Sequence, residues 1–349
     1  MIINCSLMDK DFDFVEEGHI IVKNKVIDAV GDGFVSGGKD FKDYLVMPAL
    51  INAHTHVGDS FAKEAAVGLS AWDACGPDGL KWKLYEGAER DELIFAMKES
   101  IRHMLNCGIS CFADFREFGV SGIEMLKESL SGVKIKAVIL GRELNAKELG
   151  ECGGLGLNVY GIAYSGEKRN KIVAVHAGEE EGEIELALSM KPDIIVHATH
   201  ATLDDIKKIS KQKISVVICP RSNAQLGVGF PKVRSLLDAG INVALGTDNV
   251  MINSPDMFRE MEFLSKISFL HEPVPAKEIL KIATLNGAKA LRINSGVIEK
   301  GRDANLIFID KNAPNLKYNK NWVSAVVNRC SPENVRKVMV EGEFVVDKD

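Results

Sequence analysis

The sequence predicts an α/β protein, a TIM (β/α)8 barrel with a small β-sandwich domain formed by both chain termini. Its 349 residues suit one large domain with a modest addition. Eight short apolar runs alternate with longer amphipathic stretches, which indicates a parallel sheet covered by helices on both faces. The two ends of the chain instead alternate between apolar and polar residues, which is typical of antiparallel strands.

The strands of the barrel are expected where short apolar runs end in a polar residue. Aliphatic and β-branched side chains fill these runs, as strands buried on both faces require. The fourth run has the weakest pattern because it is short and rich in glycine. In chain order, the predicted strands are 46–54, 108–115, 134–141, 156–163, 171–176, 193–197, 214–219 and 241–247.

Helices are expected between these strands, where apolar residues recur at helical spacing. In 90–106, Leu93, Met97 and Met104 are among the apolar residues that share one face. Eight βα units over about 240 residues match the size of a TIM barrel. The remaining predicted helices are 121–131, 180–190, 202–211, 231–240, 255–269 and 275–290.

The two ends of the chain are expected to form the second domain together. Residues 1–45 contain HIIVKNKVIDAVGD, which alternates around an Asn-Lys turn, and residues 296–349 contain DANLIFID and EGEFVVD. Neither end shows a helical pattern. Pairing of the two ends is the economical arrangement, with the barrel over residues 46–295; the alternative is two unrelated tails.

Composition and charge exclude several classes of protein. The net charge of −6 offers no basic excess for phosphates, so no nucleic-acid partner is expected. The seven cysteines form no C-x-x-C pair and suit a reducing compartment. The N-terminus lacks the basic start of a signal peptide, and no run approaches the roughly 18–20 apolar residues of a membrane span. We expect a cytoplasmic protein without a membrane partner; a homodimer is plausible for such a barrel.

Metal-ligating side chains follow four of the predicted strands at their carboxyl ends. These ends meet at one face of a TIM barrel, where active sites are built. A hydrolytic metal site needs neutral imidazoles and a carboxylate, with one position left for water. Any single histidine could be an ordinary core residue, but the joint placement indicates a metal site. The residues are His54, His56, His176, His197 and Asp248.

Several motifs connect these residues to a known family. MPALINAHTH, VHAGE, DIIVHATH, CPRSN and GTDN occur in this order, followed by ATLNGAKAL and SGVIEKGRDANLIFID. With this set the chain resembles the amidohydrolase superfamily over almost its whole length, in particular the branch of cytosine deaminases, chlorohydrolases and adenosyl-type deaminases. The chain is shorter than most members of that branch, so the resemblance does not carry over a substrate.

The resemblance implies that four residues bind one divalent metal ion: His54, His56, His176 and Asp248. Zinc is expected from the ligand types, although iron or manganese also suit imidazole and carboxylate. Two-metal members of the superfamily usually carry a carboxylated lysine at the end of strand four. The segment NVYGIAYSG contains no lysine, and the next one is Lys168, so a single ion is favoured.

The resemblance also implies catalytic roles. Glu179 would be the proton shuttle, Asp248 would accept a second proton, and His197 would lie near the metal's water or the substrate. His197 ends an apolar strand and has the better spacing to the Cys-Pro of strand seven, whereas His200 lies in the following loop. We therefore prefer His197 and keep His200 as a candidate substrate contact. Glu183 near the shuttle is expected to be a solvated helix residue.

Other candidates for substrate contact come from loops at the same face. Trp82, in the long segment after the first strand, could stack on a ring, although ordinary lid packing is the alternative. Arg116 and Glu117 follow strand two and Arg142 follows strand three, so one of them could hold an anionic or amidine group; surface ion pairs are the alternative. Asn223 in CPRSN occupies a position that usually shapes the strand-seven loop.

These features predict a metal-dependent hydrolase that acts on C–N bonds other than peptide bonds. The expected reaction is hydrolytic deamination of a small-molecule nitrogen heterocycle, such as a purine, pyrimidine or pterin. One alternative is hydrolysis of a cyclic amide of the imidazolonepropionase type. A catalytically silent scaffold is the alternative from another class, but it would predict gaps in the ligand set, and the sequence shows none.

Overall fold

The computed structural model describes residues 1–144, 148–160 and 170–349. They form two compact units, one of residues 1–51, 104–110 and 256–349, the other of residues 52–103 and 111–255. The domain boundaries given by the sequence stay a prediction. Within the described ranges, no helix is both long enough and apolar enough to cross a membrane.

Strands and helices alternate through most of the chain. The described strands are β1 (Ile2–Met8), β2 (Phe14–Lys23), β3 (Val26–Asp32), β4 (Lys39–Pro48), β5 (Leu50–His56), β6 (Ile109–Arg116), β7 (Lys136–Gly141), β8 (Gly154–Asn158), β9 (Ile172–Ala177), β10 (Ile194–His197), β11 (Ser215–Ile218), β12 (Val243–Leu245), β13 (Asp248–Asn249), β14 (Leu306–Asp310), β15 (Val335–Val340) and β16 (Glu343–Asp347). The described α-helices are α1 (Ala71–Cys75), α2 (Leu80–Glu86), α3 (Arg90–Asn106), α4 (Gly119–Ser129), α5 (Glu183–Ser189), α6 (Leu203–Lys211), α7 (Pro220–Gln225), α8 (Val233–Asp238), α9 (Met257–Ser268), α10 (Ala276–Ile282), α11 (Leu285–Ala290) and α12 (Trp322–Arg329).

Both ends of the chain build one mixed sheet, in the order β16-β15-β14-β4-β1-β2-β3. Asn24 and Lys25 join β2 to β3 with φ of 50° and 73°, as a tight hairpin turn requires. β4 pairs in parallel with β1 and antiparallel with β14, so it links the N-terminal strands to the C-terminal ones. The predicted joint β-structure of the two termini is confirmed, although α12 lies in a segment where no helix was predicted.

The other sheet is parallel, in the order β12-β11-β10-β9-β8-β7-β6-β5-β13. β12 and β13 follow each other in the chain, and β12 pairs with β11 whereas β13 pairs with β5. β12 and β13 are thus the two halves of the eighth barrel strand. Because they pair with strands at opposite ends of the sheet, the sheet curves back on itself. All residues of β6 and β9 are buried, as expected for a parallel sheet covered on both faces. The predicted (β/α)8 class is confirmed.

Some predicted elements differ in their bounds. The run 46–54 belongs to two strands, because β4 ends at Pro48, which has no N–H to continue a ladder, and β5 begins at Leu50. The fourth strand is Gly154–Asn158, and the end of the predicted run, 161–163, lies outside the described residues. The predicted helix 275–290 is interrupted at Thr284, whose φ of −136° and ψ of −90° are not helical.

Candidate metal centre and active site

Three histidines and one aspartate meet at the carboxyl ends of the barrel strands. His54 and His56 lie two residues apart on β5, so their rings point to the same side of the sheet. His176 lies near the end of β9, and Asp248 begins β13. One ligand atom of each residue lies within 4.8 Å of those of the other three, and all four side chains are buried. The structure brings together the ligand set that the resemblance implied.

The rings are oriented with their Nε2 atoms towards one another. Nε2 of His176 lies 3.1 Å from Nε2 of His54 and 3.3 Å from Nε2 of His56. Nε2 of His54 lies 3.1 Å from Oδ1 of Asp248. On the far side of the rings, Nδ1 of His56 lies 3.2 Å from Oε1 of Glu117, and Nδ1 of His176 lies 2.8 Å from Oδ1 of Asn158.

This arrangement fits a bound cation. Glu117 and Asn158 offer oxygen acceptors, so Nδ1 of His56 and of His176 carries the hydrogen and the lone pair of Nε2 faces the cluster. Lone pairs and a carboxylate that converge on one point repel each other unless a cation lies between them. Three imidazoles and one carboxylate are the donor set of zinc sites, and they also suit iron or manganese.

The electrostatics of the cluster favour the metal-binding protonation states. Burial lowers the pKa of His54 to about 4, and burial with the neighbouring imidazoles holds the pKa of His176 well below its ordinary value. Burial alone would raise the pKa of Asp248, but its hydrogen bond with His54 and the nearby rings hold it well below the usual range. His54 and His176 are therefore neutral and Asp248 is ionised near neutral pH, as metal ligands must be.

The backbone around the cluster is strained. Asp248, His197 and Ala198 have φ of 60°, 77° and 51°, in the left-handed region that costs a non-glycine residue about 1–3 kcal/mol. Gly246, between β12 and β13, has no room for a side chain, because a Cβ would lie 2.8 Å from Cβ of His54. The eighth strand can approach β5 this closely only with glycine at that position.

Glu179 and His197 lie beside the metal ligands. The ring of His197 stacks on that of His176 with centroids 5.4 Å apart, and its Nε2 lies 3.9 Å from Oε1 of Glu179. Nδ1 of His197 lies 3.0 Å from Oδ1 of Asn223, which fixes the ring. The Glu179 side chain is 31% exposed, and its shielding from water raises its pKa. Glu179 therefore binds a proton more readily than a solvated glutamate does.

Glu183 has a different place from the one expected. It is buried, and its Oε2 accepts hydrogen bonds from the backbone N–H groups of Gly178, Glu179 and Glu180. The expectation of a solvated helix residue was wrong, because these N–H groups at the end of β9 need an acceptor. Glu183 thereby fixes the loop that carries Glu179.

His200 lies outside the ligand cluster. It is exposed, and its Nε2 lies 3.0 Å from the carbonyl oxygen of Val228. His197 is buried and contacts both Asn223 and Glu179. Of the two histidines, the structure therefore brings His197 to the site.

The charged residues after strands two and three form a group behind His56. Arg116 is buried, and its Nη2 donates a 3.0 Å hydrogen bond to Oε2 of Glu117. A Cβ on Gly58 would lie 1.9 Å from that Nη2, so glycine there leaves the space that the guanidinium occupies. Arg142 is 19% exposed, and its Nη1 lies 3.5 Å from Oε1 of Glu117. Arg116 thus contacts Glu117, and its guanidinium is not open to a ligand.

Trp82 and Lys81 lie on α2, in the long segment after β5. Trp82 is half-buried, and its Nε1 donates to the carbonyl oxygen of Gly76, which anchors the ring to the α1–α2 turn. Lys81 is buried, with Nζ 2.6 Å from Oε1 of Glu117 and 2.9 Å from Oδ2 of Asp59. Both residues therefore have protein partners in this structure.

Further polar residues that sequence reasoning did not select also contact the ligands. Asn158 ends β8 and contacts His176, and Ser222 donates a hydrogen bond to Oδ2 of Asp248. Asn158 lies at the carboxyl end of a barrel strand, but the sequence pattern predicted that end at 163, so the residue was missed. Ser222 precedes Asn223 in the CPRSN motif, so the motif could also have indicated Ser222 as a residue of the site.

Comparisons with known proteins agree with this geometry. The model of the amidohydrolase family matches residues 160–345, more than half of the chain. A protein provisionally named an aminohydrolase, from Methanothermobacter thermautotrophicus, is 32% identical over 370 residues, which cover 94% of this chain and 94% of that protein. A 5-methylthioadenosine/S-adenosylhomocysteine deaminase from Caldanaerobacter subterraneus subsp. tengcongensis is 28% identical over 409 residues, which cover 100% of this chain and 93% of that protein.

Solved structures show the same fold. An adenosine deaminase from Xanthomonas campestris with bound zinc superposes with a TM-score of 0.83, covering 99% of this chain and 93% of that one. Its sequence identity to this chain is 20%, so the likeness establishes the fold alone.

Proposed function

The chain belongs to the amidohydrolase family of metal-dependent hydrolases, and we propose that it deaminates a small nitrogen heterocycle with a purine-type ring. The observation that carries the proposal is the convergence of three Nε2 atoms and the Asp248 carboxylate beside the Glu179–His197 pair. Hydrolytic deamination needs an activated water and a group that delivers a proton to the leaving amine.

One divalent ion, zinc in the first place, is the proposed cofactor, with His54, His56, His176 and Asp248 as its ligands. Such an ion acts as a Lewis acid and makes hydroxide available near neutral pH. A single ion is favoured because the resemblance implies a carboxylated lysine at the end of the fourth barrel strand in two-metal members, and this strand ends at Asn158. The Asn158 side chain holds the far nitrogen of His176.

Glu179 is the proposed proton shuttle. Its raised pKa makes the carboxylate a better proton acceptor than that of a solvated glutamate, as a general base requires. The Glu179 side chain is partly exposed, so a substrate could approach it, and Glu183 holds the loop that carries it. Glu179 would accept a proton at its carboxylate and deliver it to a ring nitrogen or to the leaving amine.

His197 and Asp248 are the proposed partners of Glu179. With Nδ1 of His197 held by Asn223, a ring that also carries a hydrogen on Nε2 would donate it to negative charge that develops on the attacked carbon's oxygen substituent. The raised pKa of His197 favours this protonated ring. The Asp248 carboxylate contacts His54 through Oδ1 and Ser222 through Oδ2, which fixes its plane. It would accept the second proton as the amine departs.

A purine-type ring is proposed as the substrate class because of the relatives. The Caldanaerobacter protein, which aligns with the whole of this chain, is named for deamination of two adenosine derivatives. The Xanthomonas enzyme, which shares the fold, is named for deamination of adenosine. The half-buried Trp82 and Tyr85 on α2 would supply apolar faces for such a ring.

The test is a screen for ammonia release. The protein, reconstituted with zinc, iron or manganese in separate samples, is incubated with amino-substituted purines, pyrimidines and pterins and with cyclic amides such as imidazolones. Ammonia released from an amino-purine, and lost in Glu179→Gln, supports the proposal. Ring opening without ammonia would assign a cyclic amide hydrolase instead. A wild-type protein that retains no metal after reconstitution would favour a silent scaffold.

A further inference from the structure

A buried carboxylate lies on the far side of His56 from the ligand cluster. Oε1 of Glu117 lies 3.2 Å from Nδ1 of His56 and accepts a 2.6 Å hydrogen bond from Nζ of Lys81. Oε2 accepts from Nη2 of Arg116 at 3.0 Å. The Glu117 side chain is fully buried. Because both oxygens are engaged, the carboxylate cannot rotate without losing a charged partner, and His56 meets an acceptor in a fixed place.

Lys81 connects this carboxylate to α2. Its side chain is 4% exposed, and its Nζ also contacts Oδ2 of Asp59 at 2.9 Å. Tyr85 lies one turn later on the same face of α2 and donates to Oδ1 of Asp59 at 2.7 Å. Asn249, the neighbour of the ligand Asp248 in the sequence, donates to Oδ2 of Asp59 at 2.6 Å. Two side chains thus tie α2 to residues that adjoin the metal ligands.

The charges in this group balance. Buried ions destabilise a protein unless each has a well-placed counter-charge, and apolar packing would avoid that cost. Glu117 contacts all three cations of the group and is also the residue that contacts His56. Such a costly arrangement at this place is explained if the orientation of His56 depends on it. The cations are Lys81, Arg116 and Arg142, and the carboxylates are Asp59, Asp114 and Glu117.

We propose that Glu117 and Lys81 are positioning residues of the metal centre. Glu117 holds the ring of His56 with its hydrogen on Nδ1, which leaves the lone pair of Nε2 for the cation. Lys81 holds Glu117 in the orientation that does so. Since Lys81 belongs to α2, correct placement of that helix becomes a condition for tight metal binding. This inference rests on the metal site of the proposed function.

The first test compares the Zn²⁺ affinity of full-length variants by competition with a chelator. Glu117→Gln removes the charge at nearly constant size, and we expect its affinity to fall about 10- to 100-fold, as loss of such outer partners commonly does. Lys81→Met should lower the affinity in the same direction. The matched controls are Glu124→Gln on α4 and Lys83→Met on α2, both exposed, and their affinity should equal that of the wild type.

The double variant tests whether Lys81 acts through Glu117. In the Glu117→Gln background, Lys81→Met should change the Zn²⁺ affinity no further. If Lys81→Met lowers the Zn²⁺ affinity in that background as much as it does in the wild type, Lys81 does not act through Glu117. Wild-type affinity in Glu117→Gln would also overturn the proposal. Lys81→Met alone could fail to fold because it leaves the Glu117 charge buried without this partner. The double variant removes both charges of the ion pair, so its comparison with Glu117→Gln still shows whether Lys81 acts through Glu117.

A second readout uses the metal-free protein. The ¹⁵N shifts of the His56 ring should report a hydrogen on Nδ1 in the wild type and a mixture of tautomers in Glu117→Met, which has no oxygen to accept that hydrogen. A residue with a merely structural role would lower the unfolding temperature without changing these shifts. Unchanged shifts in Glu117→Met overturn the inference. Failure of the wild type to bind Zn²⁺ while the shifts change as expected would instead count against the proposed function.

Discussion

Nε2 of His197 lies 3.9 Å from Oε1 of Glu179, and each group shifts the pKa of the other. Burial raises the pKa of Glu179 although His197 opposes the shift. Burial alone would lower the pKa of His197, but the charges of Glu179 and Asp248 together with the hydrogen bond to Asn223 raise it. A general acid–base group works best when its pKa lies near the working pH. The contact therefore places two groups suited to proton transfer next to the metal ligands.

Replacement of Glu179 should separate catalysis from metal binding. Glu179→Gln keeps the size of the side chain but removes its ability to carry a proton, so we expect kcat to fall about 10²- to 10⁴-fold. The metal content should stay at the wild-type level, because Glu179 is not one of the clustered ligands. Steady-state kinetics and elemental analysis on the same sample measure both quantities.

Glu181→Gln is the matched control for this variant, since Glu181 is exposed in the same loop and no role is assigned to it. Its kcat should match that of the wild type. Loss of activity in both variants, or metal loss in Glu179→Gln, would contradict the shuttle role.

The pH profile should carry the signature of Glu179. The ionised carboxylate is the form that accepts a proton, and its pKa is raised above the ordinary 4.5. The acid limb of kcat/KM should therefore decline as the pH falls through a value above 4.5, because protonation sets in earlier than for a solvated glutamate. A profile of kcat/KM against pH tests this, and the residual activity of Glu179→Gln should lack the limb. An unchanged limb in that variant would assign it to another group.

Metal content should depend on residues from separate strands. We expect about one Zn, Fe or Mn per chain in the wild type and strong losses in His176→Ala and Asp248→Asn, which each remove a ligand from a four-residue set. Elemental analysis of the purified proteins measures this. His200→Ala, at an exposed histidine outside the cluster, is the control and should keep its metal. Two ions per chain would contradict the proposal of a single-ion site.

The sequence was informative about the ligands because backbone geometry determines where they lie. Each of His54, His176 and Asp248 follows or ends an apolar run, and the carboxyl ends of parallel strands meet at one face whatever the loops do. The same logic selected His197 over His200, since only His197 ends its strand. The order of the motifs then identified the family.

The surroundings of the ligands were less accessible to sequence reasoning. Arg116 was one of three candidates for contact with a substrate, but it is buried against Glu117. Lys81 contacts Glu117 although the two residues are 36 positions apart in the sequence. The spacing of a single chain does not show such pairs, because they depend on how an irregular segment folds back over a strand end. The prediction that Glu183 is solvated was wrong for a related reason. A glutamate in the first turn of a helix can point to water or accept hydrogen bonds from the N–H groups of the preceding loop, and the sequence does not distinguish the two.

A last prediction concerns stability at the end of α6. Lys213 follows the cap residue Gln212 with a φ of 56°, its N–H bonds the carbonyl oxygen of Ser210, and the N–H of Ile214 bonds that of Ile209. This is a Schellman ending, in which glycine avoids the steric cost of the left-handed conformation. Lys213→Gly should therefore raise the free energy of unfolding by about 1 kcal/mol, measured from the urea midpoint at fixed metal concentration. Lys211→Gly, inside the last helical turn, should lower it by about as much. A shift of the same sign in both variants would contradict this account of the helix end.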